Sequence, residues 1–153
     1  MISDYFNIFL LSMIPIGELR FSIPYGILKL SLDPIYVFLA SVFGNICIGI
    51  IVLYIIGPIM FILRKNRFFN FLIGKIFKRT RIKGKIVYTL KFYGLIIFIS
   101  IPFPLTGVWT GSLASYLFGL SKHKSVIAVF IGVMISGTIV TGLTLFTDFY
   151  INL

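Results

Sequence analysis

Carboxylates are nearly missing from this chain: its 153 residues hold four, with one histidine and one cysteine. Scattered as they are, they do not build a metal site or a hydrolytic triad, so neither enzymatic activity nor a cofactor is expected. Cys47 has no partner for an internal disulfide and reads as a small apolar filler. A basic n-region is lacking as well, and Asp4 stands in its place, so the first residues do not read as a cleavable signal peptide. Charge itself is scarce, at 12% of residues against 59% hydrophobic. A soluble domain of this size cannot bury that much apolar surface.

What is present points to a bilayer. Neither Ile35–Leu63 nor Ser125–Thr147 contains a charged residue, and each exceeds the roughly 20 residues that span a hydrocarbon core as a helix. The net charge of +10 would suggest nucleic acid were it spread over a surface, but ten of the fourteen basic residues fall between Arg64 and Lys91, with no acid among them. Between two membrane segments this is the positive-inside signal, which places residues 64–91 in the cytoplasm and against anionic lipid headgroups, and leaves no role for nucleic acid. Within that stretch Phe69, Leu72, Ile73 and Ile76 recur at helical spacing, which predicts an amphipathic helix over 66–79 lying in the membrane plane.

Two further hydrophobic stretches are interrupted. Residues 5–32 carry Pro15, Gly17 and Pro24, and residues 92–120 carry Pro102 and Pro104. Proline removes a backbone donor, so both read as split helices whose pieces are too short to span singly. Ile14-Pro15-Ile16 resembles Ile101-Pro102-Phe103, and Gly44–Gly49 resembles Gly137–Gly142, at offsets of 87 and 93 residues. One all-α membrane domain of two halves follows. Each half (1–63 and 92–153) is a re-entrant broken-helix hairpin plus one transmembrane helix, and the basic linker 64–91 joins them. One crossing per half makes the second copy an inverted repeat. Lys122 and Lys124 then lie inside, with Asp4, Asp33 and Asp148 outside. Four full spans are the competing topology, and they would put those two lysines on the wrong side of the charge rule.

Glu18 and Arg20 are the only ionisable residues away from the ends of any hydrophobic segment. Such residues face cavities and mark pathways. Two apart, they diverge on a helix and share a side in an extended strand, so an extended backbone is expected between Pro15 and Pro24. The second break offers Thr106, Trp109 and Thr110 as hydrogen-bonding side chains, and its helix start suits an anion. Gly107, Gly111 and Ser115 form a small-xxx-small ridge, and Asn45 lies near the middle of the first long span; helix packing is the plainer role for both. His123, between two lysines at a helix end, reads as a surface residue.

The pairing of Gly17-Glu18-Leu19-Arg20-Phe21-Ser22-Ile23-Pro24-Tyr25-Gly26 with Pro102-Phe103-Pro104-Leu105-Thr106-Gly107-Val108-Trp109-Thr110-Gly111 resembles the small multidrug export proteins of bacteria and archaea, distant relatives of the DedA membrane proteins. The resemblance covers nearly the whole chain. It implies two facing re-entrant hairpins in a cytoplasmic membrane and a transport role, with export or flipping of a small hydrophobic, drug-like or lipid-like anionic substrate coupled to protons or another ion. Carried over, Glu18 and Arg20 match the acidic and basic positions of the first motif, and Thr106, Gly107, Trp109 and Gly111 the second; Pro24, Thr110 and Asn45 join them as candidate residues of the substrate or ion pathway. So few helices per chain lead to the expectation of a homodimer or larger assembly. A membrane scaffold or accessory subunit is the alternative.

Overall fold

The structure, a computed structural model, describes residues 2–63, 85–103 and 106–151. The helix expected over 66–79, most of the basic run and Pro104 lie outside the described residues. Six α-helices are present and no strand among the described residues: α1 (Ile2–Ser12), α2 (Glu18–Pro24), α3 (Pro34–Leu63), α4 (Lys85–Ser100), α5 (Val108–Phe118) and α6 (Lys122–Ile151).

Local chemistry sets the boundaries. Asp33 Oδ1 accepts the Ile35 N–H at 2.9 Å and Pro34 opens α3, a side-chain cap followed by the one residue that has no N–H to satisfy. Gly119 ends α5 at φ 68°, where its own N–H and that of Leu120 close on the carbonyls of Tyr116 and Ser115. The backbone around Glu18–Pro24 differs from expectation. Instead of an extended segment it forms α2, and Pro24 does not end the helix. The chain continues as a π-helical turn over Tyr25–Lys29, whose wider loop absorbs the donor that Pro24 lacks.

Both long helices have 30 residues, about 45 Å, enough to cross a bilayer. They run antiparallel: Lys122 sits over the Tyr54 ring, Gly49 abuts Val129, and Gly137 abuts Val42. Beside α3, α1 runs in the same direction, with Tyr5 against Tyr36 and Phe9 against Phe43. Helix α2 returns the other way, pairing Ser22 with Ser41 and Gly26 with Val37. Helices α1 and α2 thus form a hairpin whose tip, residues 13–17, reaches the middle of α3.

The second half repeats this order of elements, and three helix boundaries keep one step. Ser12 to Ser100, Pro34 to Lys122 and Leu63 to Ile151 are each 88 residues apart. Close glycine packing recurs as well, with the partners 87 residues on rather than 88. Gly44 takes Phe9 and Ser12 at a distance that admits no Cβ, and Gly132, 88 residues on, takes Ile96 and Ile99 likewise. Gly137 lies 88 residues after Gly49 and 93 after Gly44. Each short inner helix also packs on the other half's long helix, α2 on α6 and α5 on α3, so the buried core centred on Ile23, Val37, Ile99, Val108, Val129 and Val133 belongs to both halves.

Candidate functional site

Two interruptions of helix meet at the centre of the molecule, and each leaves backbone groups without intrahelical partners. At the end of α4 the carbonyls of Ile101 and Phe103 are exposed by Pro102 and the turn that follows. At the start of α5 the N–H groups of Val108 and Trp109 point outward. The first half supplies both partners. Arg20 donates through Nη1 to the Phe103 carbonyl, and through Nη2 to the Ile101 carbonyl at 3.1 Å and to Thr106 Oγ1 at 3.2 Å. Glu18 accepts from the N–H of Val108 at 3.4 Å and of Trp109 at 3.5 Å. A cation thus caps a helix C-terminus and an anion caps a helix N-terminus, the favourable sense for both dipoles, which in partly buried settings is worth up to about 2 kcal/mol each.

The second half returns the favour to the first. Trp109 Nε1 donates to the Met13 carbonyl at 3.2 Å, in the turn that follows α1. Asn45, fully buried, donates from Nδ2 to the Ser12 carbonyl at 3.3 Å and stands beside the Glu18 carboxylate. Each break draws a side chain from outside its own hairpin, while Thr106 Oγ1 also donates to the Ile101 and Phe103 carbonyls from within, so the non-helical backbone is satisfied.

Side-chain direction explains how residues 18 and 20 reach the same break from one helix. Glu18 has φ 51°, a left-handed conformation costly for any residue but glycine. It swings the carboxylate toward α5 while Arg20, a regular helical residue, reaches α4. Glycine at 107 gives the carboxylate its place, since a Cβ there would fall onto Glu18 Oε2. Helix packing, the role expected for the small-residue ridge, describes Gly111, which meets Ile99, and Ser115, which hydrogen-bonds Ser125. It does not describe Gly107.

Of the residues singled out from sequence, Glu18, Arg20, Asn45, Thr106, Gly107 and Trp109 come together. Pro24 lies nearby in the wall of a cleft, and Thr110 turns its hydroxyl to the Gly107 carbonyl at 3.5 Å. The anion expected at the start of α5 is the protein's own Glu18. Unforeseen were the participants that act through backbone: the carbonyls of Ser12, Met13, Ile101 and Phe103. Residue type carries no signal for these. A register of 88 residues would have aligned Ser12 with Ser100, which mark the two helix ends in question.

Two clefts border the cluster. One, of about 470 Å³, is lined by Leu11, Ile14, Ile16, Gly17 and Phe21 with Arg20 and Pro102. The other, of about 310 Å³, runs along α2 and α6 between Pro24, Leu28, Leu143, Thr144 and Thr147, again with Arg20 and Pro102. Among the described residues no group of acidic, histidine and cysteine side chains could hold a metal ion.

The model of a protein family described as "Putative small multi-drug export protein" matches residues 18–139, from Glu18 through the second break and into α6. No curated protein and no solved structure matches the chain.

Proposed function

The chain belongs to the small multi-drug export protein family, and on that premise we propose that it is a secondary exporter of small hydrophobic, drug-like or lipid-like anions across a cytoplasmic membrane, powered by protons or another ion. The observation that carries this reading is the pair of opposite charges held at mid-height against broken backbone, between two clefts. Ionisable groups at membrane depth cost at least about 2.5–3.5 kcal/mol on insertion scales. Chain interrupted at that depth is tolerated where it lines a cavity.

The topology that goes with it is an inverted repeat with re-entrant hairpins. Equivalent long helices running antiparallel support inversion. The 11 residues of α1 and of α5 are about 16 Å of helix, half of a hydrocarbon core, and support re-entrance. The basic stretch 64–91 sits in the cytoplasm, with Lys122 and Lys124 on the same side. Glu18 carries the coupling proton. Once neutral, it caps α5 more weakly, and the two halves rock apart about the antiparallel long helices. The second hairpin adds no arginine to Arg20, which argues against the doubly charged headgroups of a DedA-type lipid phosphate substrate.

Purified protein in liposomes with an internal pH dye tests this against a panel of amphiphilic anions. Wild type is expected to show anion-dependent proton flux, and Glu18→Gln to abolish it without loss of insertion. Undiminished flux in the variant removes Glu18 from the mechanism. A membrane scaffold is the second reading, favoured by the fact that Glu18 and Arg20 both already hold backbone. It predicts no flux with any anion and copurification with a partner protein.

A further inference from the structure

Arg20 and Pro102 are the two residues that line both clefts. On one side lies the space at the tip of the first hairpin, on the other the groove between α2 and α6, which runs to Thr147 near the end of α6. What stands between them is the Arg20 side chain, bonded to the carbonyls of Ile101 and Phe103 and to Thr106. Both clefts are walled chiefly by apolar side chains, several of them facing outward, such as Ile14, Phe21 and Leu143. Each therefore communicates sideways with the surroundings of the helices. Arg20 Nε is buried and has no hydrogen-bond partner, a donor that an incoming group meets only once the guanidinium moves.

We propose that Arg20 is the gate of a single lateral route for amphiphiles with one anionic head, and that the head opens the gate by taking the guanidinium from the α4 carbonyls. The inference rests on the export reading and names its substrate class and path. Charge complementarity selects the class, because an apolar trough with one cation at its midpoint matches an apolar tail with one anion. Competition favours the exchange, since a carboxylate or phosphate oxygen bonds guanidinium roughly twice as strongly as a neutral carbonyl oxygen does. With Arg20 drawn aside, the two clefts become continuous from the first hairpin tip to Thr147, and the tail follows in the groove between α2 and α6. Pro102 shapes the gate from the other side, because residues 101–103 present their carbonyls where a helix would have turned them inward.

Trp109 is the sole tryptophan of the chain and bonds to Met13 in the hairpin tip that bounds the larger cleft, which supplies a reporter independent of transport. Full-length protein in phosphatidylcholine nanodiscs is titrated with spin-labelled stearate, its methyl ester, and a spin-labelled alkyl methyl phosphate, whose head carries a single charge. Both anions are expected to quench Trp109 fluorescence saturably, the ester only by linear partitioning. Arg20→Gln should weaken the saturable quenching at least tenfold, and Arg20→Lys, which keeps the charge without the fork, less. Equal quenching by acid and ester, or no change in Arg20→Gln with Arg20→Lys also unchanged, overturns the proposal. A stronger response to one anion tells carboxylate from phosphate as the preferred head. In a Cys47→Ser background, cysteines at Ile14 and Leu143 test continuity: saturating stearate should shield both from a permeant maleimide, and protection of one alone refutes a joined route. Specific quenching with two-sided protection but no flux in liposomes would sink the export reading and leave this site standing.

Discussion

The two halves of the molecule share a scaffold and divide the chemistry. Positions 88 residues apart differ in chemistry. Glu18 corresponds to Thr106, Ser41 to Val129 and Asn45 to Val133. The first half carries the charges and the buried amide, and the second carries the more open break with hydroxyl, indole and glycine. A symmetric scaffold thus holds an asymmetric centre in which one half's side chains complete the other half's backbone. Neither set of residues forms a site alone.

This contrast can be broken at its strongest point by Arg20→Ala. The change leaves the Glu18 carboxylate without its nearby cation and the Ile101 and Phe103 carbonyls with only the local donors of Phe103 and Thr106, and a loss of about 1.5–3 kcal/mol is expected. Reversible unfolding in mixed micelles measures it. Gly107→Ala comes next, because its Cβ would land on the Glu18 carboxylate. The acid must leave the α5 N-terminus or the break must shift, at a cost of about 1–3 kcal/mol in the same assay. Trp109→Phe keeps most of the packing and strips the Met13 carbonyl of its donor, which should cost about 1–2 kcal/mol. It would sharpen the comparison by showing that reciprocity runs in both directions. The smallest effect is expected at Gly94, where nothing lies within 4 Å of an added Cβ. Alanine there should be neutral or stabilise by up to about 1 kcal/mol through helix propensity. A large loss at Gly94 would mean that glycine content, rather than the central contact, governs stability.

Much of the architecture was legible in the sequence because membrane depth allows few solutions. Two uncharged runs became α3 and α6 within a few residues of their expected ends. The prolines at 15 and 102 marked the two breaks. Pro24 misled, because a proline in the first turns of a helix forfeits one hydrogen bond and a π-turn can make up the rest. Look-alike glycine pairs carried no signal for what each glycine touches, Phe9 and Ser12 for Gly44, Ile96 and Ile99 for Gly132. The central pair was found by charge alone, but the partners of Glu18 and Arg20 could not be, because they are main-chain atoms whose availability depends on where helices stop. Thr110 was grouped with Thr106 by type, and only the direction of its hydroxyl separates them.

Interlocked inner helices also bear on how the chain matures. Helix α2 rests on α6 as well as on its own α3, and α5 on α3, so the first half, emerging alone, offers its return helix only one of the two surfaces it finally lies against. Until the later segment arrives, Glu18 and Arg20 have no main-chain ends to cover and must be sheltered by water or by the insertion machinery. Assembly is therefore a closing step between two half-built pieces rather than the laying down of finished spans one by one. A ribosome stalled after the first long helix would hold an intermediate whose charged tip is still open to solvent.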